Sequence, residues 1–448
     1  MAKIAEPSQG PVHLLRTRRF APFFVTQFLG AFNDNLFKNA LIVLLTFHAA
    51  SWTTLGPGLL ANLAAGVFIL PFFLFSATAG QLADKYDKAL LARAVKLLEM
   101  LIMLVAAVGF SLQSLSVLLV ALCLLGLHST LFGPVKYAIL PQHLHVDELI
   151  AGNAWVEAGT FVAILGGTLL GALLAGSVSH PAWIAAGGFG VALAGYLASR
   201  QIPAAPAPAP TLIVNLNPLT ETVRNLRFAR ANREVFWALI GISWFWLYGA
   251  LFLAQFPAYA KVVLGGNEAA VTLLLATFTV GIGAGSMLCE RLSGHRLELG
   301  LLPPAAFGLT LFGLDFAWAS TNFGAFSALT AGNPHTLAEL LAQPAVWRVL
   351  FDLLMLGGFG GLFIVPLYAQ MQMRSEVAHR ARIVAANNIL NAAFMVAGAL
   401  SAAAALSSGL SLAGLFALAA LGNALLVLLV HSRSPIYWQA WRAMRRRQ

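Results

Sequence analysis

Long apolar runs, each close to the length of a bilayer crossing and joined by short polar stretches, dominate this chain. Twelve are legible, at roughly 20–48, 55–80, 89–111, 114–134, 150–177, 181–200, 234–262, 268–291, 299–320, 345–373, 381–408 and 410–432. A hydrocarbon core about 30 Å thick takes about 20 residues of α-helix. Helices are the form expected, because a segment in lipid must satisfy its own backbone. The pattern therefore predicts an all-α membrane protein with 12 transmembrane helices.

The longest polar connection, "SRQIPAAPAPAPTLIVNLNPLTETVRNLRFARANRE", follows the sixth run. Its Ala-Pro part suits a semi-rigid linker, and the stretch from Thr211 to Arg230 suits a short interfacial helix. The expected organisation is a basic N-terminus (1–19), a six-helix bundle (20–200), a linker (201–233), a second six-helix bundle (234–432) and a basic C-terminus (433–448). Two bundles of six with a basic middle loop suit a pair of rigid bodies that rock against each other. The largest segment on the opposite side, Thr321 to Pro344, shows nothing catalytic.

Composition agrees. Of 448 residues 59% are hydrophobic and 10% charged, against about 25% charged in soluble domains. A net charge of +10 would suit nucleic acid, but the distribution of the basic residues excludes that. Of the 27 Lys and Arg, 23 fall at the two termini and in the loops of one face; Lys261 and Arg348 lie on the other, and Lys38 and Lys96 within helices. This bias predicts an even number of spans with both termini on the cytoplasmic side. The closing "WRAMRRRQ" suits contact with anionic headgroups. The first 20 residues lack the apolar core of a cleavable signal peptide. Cys123 and Cys289 lie in apolar runs and suggest neither a disulfide nor a metal site. No cofactor is expected.

The chemistry is concentrated inside the runs. In "QFLGAFNDNLFKNAL", Asp34 lies 15 residues beyond Arg19, about 22 Å along a helix and near mid-membrane. Gln27, Ala31, Asp34 and Lys38 share one stripe, and the spacing of Asp34 and Lys38 allows them to pair. An ionisable group at this depth costs about 2.5–3.5 kcal/mol and is a functional candidate; the alternative is an ion pair that only ties helices together. The fifth run carries Asn153, Glu157 and Thr160 on one face, continued by Gly167 and Gly171 as a close helix contact. The eleventh carries Asn387, Asn388 and Asn391, able to bond a ligand or neighbouring helices. Lys96 and Glu99 suit a structural pair, and Asp315 and Asp352 suit local pairing, with Arg348 four residues before the latter. Gly133-Pro134 is expected to break the fourth helix and present Lys136 at the interface.

Enzyme chemistry is not expected. The loop holding His143, His145, Asp147 and Glu148 lacks the acyltransferase spacing of His and Asp, since Glu148 and Ile150 stand where the Asp would be. A membrane-bound acyltransferase, or a scaffold for one, finds no nucleophile here.

The loop "GQLADKYDKALLAR" resembles the signature of the major facilitator superfamily, a Gly followed four residues later by Asp and a basic residue. It departs from the pattern at Asp87, where Gly is usual. A degenerate echo, "GSMLCERLSGHRLE", repeats the spacing with Ser286, Glu290 and Arg291. "FVTQFLGAFNDNLFKNAL", "GQLADKYDK", "GPVKYAILPQ", "LIAGNAWVEAGTFVAILGGTLLG" and "GGFGGLFIVPLYAQMQ" together resemble the bacterial lysophospholipid transporter family of that superfamily, from about Phe20 to His431. The version they resemble is often fused to, or encoded beside, an acyltransferase and acyl-carrier-protein synthetase.

The resemblance implies the 6+6 major facilitator fold. It also implies flipping of lyso-phosphatidylethanolamine and lyso-phosphatidylglycerol from the outer to the inner leaflet, followed by re-acylation by the partner enzyme. Carried over by position, Asn33, Asp34, Asn35, Lys136 and Glu157 would serve the substrate, and Gly80, Asp84, Lys85, Lys88, Glu290 and Arg291 the gate. An Arg found in the seventh helix of some members is absent; Tyr248 and Gln255 are the nearest polar groups there, and Lys38 is expected to supply the charge. Asn387, Asn388 and Asn391 would complete the cavity, with the aromatic residues of the second and seventh helices able to wall an acyl tail. The competing expectation in the same fold is a proton-coupled exporter of amphiphiles with Asp34 as proton carrier.

Overall fold

The computed structural model describes residues 11–47, 57–177, 182–323 and 334–446. Of the sequence expectations, the first ten residues, the last two and residues 324–333 of the 321–344 loop lie outside the described residues. The described chain forms twelve long helices. The first bundle comprises α1 (Ala21–Phe47), α2 (Pro57–Lys85), α3 (Lys88–Ser111), α4 (Leu115–Ala138), α5 (Leu149–Ser177) and α6 (Ala182–Ser199). The second comprises α7 (Arg233–Val262), α8 (Glu268–Ser293), α9 (Leu302–Ser320), α10 (Pro344–Arg374), α11 (Arg380–Ser407) and α12 (Leu412–Arg433). Ten helices are long and apolar enough to cross a membrane, and Trp183–Ser199 of α6 is a shorter apolar helix. α1 is long enough but held back by its run of Asn, Asp and Lys. The even count brings both ends of the described chain to one face, termed here the terminal face.

Capping decides several boundaries. Asp87, the departure from the expected turn, starts α3: one carboxylate oxygen accepts from the Ala89 and Leu90 amides (2.8 and 3.1 Å). Its other oxygen accepts from the linker amide of Ala205 (2.9 Å). An aspartate here therefore fastens the linker to the α2–α3 turn, which a glycine could not do. Asn217 likewise caps the helix Pro218–Ala231, the interfacial helix of the linker, which begins later than expected because Pro218 suits the first turn.

One expectation fails. Gly133-Pro134 does not break α4, which continues to Ala138 with Pro134 inside it. Membrane helices tolerate proline where neighbours compensate, and Lys136 consequently stays on the helix and faces inward.

Glycine allows the closest helix approaches. A Cβ on Gly167 or Gly171 of α5 would stand 2.3 Å from the carbonyl oxygens of Phe32 and Leu36 on α1. In the second bundle a Cβ on Gly285 would lie 1.9 Å from the Gly358 carbonyl. These contacts are backbone against backbone, the packing that replaces the hydrophobic effect in lipid.

Candidate functional site

Between the bundles lies a cavity of about 450 Å³, within the usual range of about 300–1,000 Å³ for ligand pockets. α1, α2, α4 and α5 form one wall; α7, α10 and α11 form the other. Among the described residues, the charged or ionisable groups Asp34, Lys38, His128 and Lys136 all belong to the first wall. The second contributes neutral polar groups, Asn388, Asn391, Trp246 and Tyr368, and apolar surface from Phe245, Leu253 and Met395.

On α1 the helical step separates neighbours in sequence. Asp34, Asn35 and Lys38 line the cavity. Asn33, about 100° round the helix from Asp34, does not: it is buried against α3 and donates to Glu99 Oε1 (2.7 Å). Asp34 and Lys38 do not form the expected ion pair. Asp34 Oδ2 instead accepts a hydrogen bond from Ser129 of α4, and the Lys38 ammonium stands 5.2 Å from the centroid of the Phe68 ring. Asn35 turns its amide to the Ala31 carbonyl (2.8 Å).

Behind Asp34 sits a buried charge cluster. Lys96 and Glu99 pair at 2.6 Å as expected, both without side-chain exposure. His128, absent from the sequence reading, joins them: Nε2 is 3.1 Å from Glu99 Oε2, while Nδ1 is 3.7 Å from Asp34 Oδ1. Room for this cluster depends on Gly30, whose added Cβ would meet Lys96 Nζ at 2.9 Å.

Lys136 lines the cavity and donates to Thr160 Oγ1 (2.8 Å), which lies 3.2 Å from Gln27 Oε1. Tyr137 stacks on Tyr368 across the bundles with centroids 4.1 Å apart, forming the cavity's lower limit with Trp246, which donates to the Tyr368 hydroxyl (2.9 Å). Glu157 is placed behind this stack and not at the cavity wall; it is fully buried and accepts from the Tyr137 hydroxyl (2.8 Å).

On α11, Asn388 and Asn391 reach the cavity and Asn391 accepts from Ser243 (2.8 Å). Asn387 is fully buried and outside it. On α7 the two expected polar groups also miss the cavity. Tyr248 points to α9 and donates to the Leu309 carbonyl (3.2 Å), and Gln255 is not among the lining residues.

Below the Tyr137–Tyr368 stack the bundles meet at the terminal face. Asp84 accepts from the Arg382 guanidinium (3.0 Å) and the Ala381 amide (3.1 Å). Gly80 makes the approach possible, for a Cβ there would lie 2.6 Å from Ala385 Cβ. Asn153 of α5 and Gln372 of α10 exchange reciprocal amide bonds of 2.7 and 3.0 Å. Arg382 and Gln372 were not singled out in the sequence; only their bonds to residues some 220–300 positions away mark them.

Lys88 is buried at the α2–α3 turn, its charge close enough to act on Asp84 and its amide donating to the Ala205 carbonyl (3.0 Å). The other expected gate residues are elsewhere. Lys85 lies 5.7 Å from the ring centroid of its neighbour Tyr86. Glu290 contacts His295 within its own loop (2.6 Å), and Arg291 is exposed. The echo in the second bundle therefore does not repeat the cross-bundle bond of Asp84. In the outer part of the second bundle Arg348 pairs with Asp315, not Asp352.

Two helical bundles around one shared cavity, with inter-bundle polar locks at one end, define a membrane transporter scaffold. The family model of the Major Facilitator Superfamily matches residues 23–344, and the chain belongs to that superfamily. Within it, the chain is similar to curated proteins named lysophospholipid transporter LplT. That of Cronobacter sakazakii is 28% identical, covering 86% of each chain; that of Photorhabdus laumondii is 27% identical, covering 81% of each. Solved structures agree on the fold. A variant of the Escherichia coli fucose:proton symporter FucP aligns with a TM-score of 0.65 at 14% identity, over 93% of this chain and 98% of its own. The human organic anion transporter MFSD10 gives 0.65 at 16%, over 92% and 99%.

Proposed function

We propose that this protein carries lysophospholipids across the bacterial inner membrane, from the outer to the inner leaflet, by alternating access between its bundles. The observation that carries the reading is one cavity that gathers its charged groups, Asp34, Lys38 and Lys136, on one wall and is otherwise lined by apolar side chains from both, Phe68 and Phe72 on one and Phe245, Leu253 and Met395 on the other. A lysophospholipid has matching parts, a charged headgroup and one acyl tail. The LplT name borne by relatives over most of their length supports the same substrate class.

In this reading Lys38 and Lys136 hold the headgroup phosphate, and Asp34 takes a headgroup ammonium where there is one. Asn388 and Asn391 bond its remaining oxygens. The Asp84–Arg382 and Asn153–Gln372 contacts close the terminal face, which the distribution of basic residues assigns to the cytoplasm. Delivery there would present the lipid to a re-acylating partner, an acyltransferase or acyl-carrier-protein synthetase. No catalytic role is proposed for the chain itself.

The test is uptake of labelled lyso-phosphatidylethanolamine by proteoliposomes, comparing wild type with Asp34→Asn and Lys38→Ala. Both variants should lose most of the transport while remaining folded. Wild-type vesicles no better than empty ones would refute the assignment.

A further inference from the structure

The buried cluster behind Asp34 is not accounted for by headgroup binding alone. His128 stands between two carboxylates, with Nε2 toward Glu99 (3.1 Å) and Nδ1 toward Asp34 (3.7 Å). A neutral imidazole has one N–H and one lone pair. In that form one nitrogen would turn its lone pair to a carboxylate, an unfavourable contact in a dry setting. The doubly protonated ring offers a donor toward each of the two carboxylates. Lys96 pairs with Glu99 at 2.6 Å, and two further cations, Lys38 of α1 and Lys136 of α4, line the cavity on the Asp34 side. Elsewhere along α4, the Phe68 backbone of α2 meets Gly126, two residues before His128, and the Asn388 amide of α11 meets Gly133, five residues beyond it. Lys136 lies two turns further along α4, bonded to Thr160.

We propose that His128 is a proton-binding site linked to the headgroup: it holds a proton on Nδ1 while the cavity is empty and releases it when a ligand ammonium occupies Asp34. The incoming ammonium adds a further cation beside the two carboxylates. Its pairing with Asp34 removes the partner that favoured Nδ1–H. That bond breaks, the electron pair stays on the ring, and the proton leaves through cavity water to the buffer. Nε2–H remains toward Glu99. The length of the Nδ1 contact, beyond a hydrogen bond, suits a partner that is surrendered. Ligand exit reverses the exchange. A headgroup without an amine brings no such cation and releases no proton.

This inference rests on the lysophospholipid reading for its choice of probes. Calorimetry of the purified full chain, in two buffers of different ionisation enthalpy at one pH, measures proton exchange on binding. Lyso-phosphatidylethanolamine should release protons and lyso-phosphatidylglycerol none, and His128→Gln should abolish the buffer difference. By linkage, amine-headgroup affinity should rise with pH, by up to about tenfold per unit below the titration of His128. Equal proton release with both lipids, or release unchanged in His128→Gln, would overturn the proposal. If neither lipid binds, the transport reading fails, and nitrogen-15 spectra of the histidine rings without ligand still decide the proton site. His128, assigned by its loss in His128→Gln, should carry two ring protons at neutral pH. A single neutral tautomer there would refute the site independently of any substrate.

Discussion

Replacing Asp84 by Asn tests the lock between the bundles. The Asp84 and Arg382 side chains are 0% and 3% exposed, so solvent screens their attraction little. Asp84→Asn keeps a carbonyl for the Ala381 amide but removes the countercharge of Arg382. The guanidinium would then be buried with only the Ala378 carbonyl (2.9 Å) and the Phe228 face (5.0 Å from the centroid). Orphaning a buried charge costs about 3–5 kcal/mol. In an open arrangement Arg382 meets water and the loss is small, so most of the cost falls on the closed one. Even about 3 kcal/mol moves that equilibrium by roughly 10². The assay is electron–electron distance spectroscopy with spin labels at the exposed positions Leu90 and Val377, one in each bundle, after Cys123→Ser and Cys289→Ala. Wild type should give mainly the short, closed distance, and Asp84→Asn a dominant longer one. An unchanged distribution in a folded variant would refute the claim that this ion pair holds the face shut.

Lys38→Ala should reduce headgroup affinity by roughly 10- to 100-fold, the worth of about 1.5–3 kcal/mol for a bond to a charged group, without shifting the melting temperature; direct binding measures it. Gly171→Leu should prevent proper assembly, because its side chain would begin 2.3 Å from the Leu36 carbonyl; detergent size-exclusion profiles would show loss of the monodisperse peak. Lys96→Met should destabilise, because Glu99 loses its 2.6 Å partner and keeps only His128 and Asn33, by less than the about 3–5 kcal/mol of a fully broken buried pair, and Lys96→Met with Glu99→Leu should recover part of that in thermal unfolding. A double variant worse than the single one would contradict the pairing.

The architecture was legible because length and hydropathy suffice to mark membrane spans, and because one Gly-x-x-x-Asp loop carries a recognisable pattern. Orientation within the spans was not. In a helix that is apolar nearly all round, little in the sequence tells which face meets lipid, so Asn33 and Asn387 were grouped with cavity-facing neighbours a third of a turn away. Tyr248 and Gln255 misled for the same reason. The cavity-facing positions on α1 were recovered because Ala31, Asp34 and Lys38 form a stripe of helical period. His128 stood alone in its run, and its partners Asp34 and Glu99 lie 94 and 29 residues distant. The Asp34–Lys38 pairing failed because spacing permits a contact without excluding better ones, here Ser129 and the Phe68 ring. Asp87 shows the opposite case: a departure from the motif became intelligible once the linker amide it binds was in view.

The uneven charge of the two cavity walls bears on how such a molecule can diversify. In the proposed cycle the half that swings past a docked headgroup carries no formal charge at the contact, so its motion would drag no ion through the membrane. Its pocket-facing positions can drift toward longer, shorter or branched tails while the anchoring half stays fixed. Chimeras that exchange only the second half between relatives should therefore inherit chain-length preference from one parent and headgroup preference from the other.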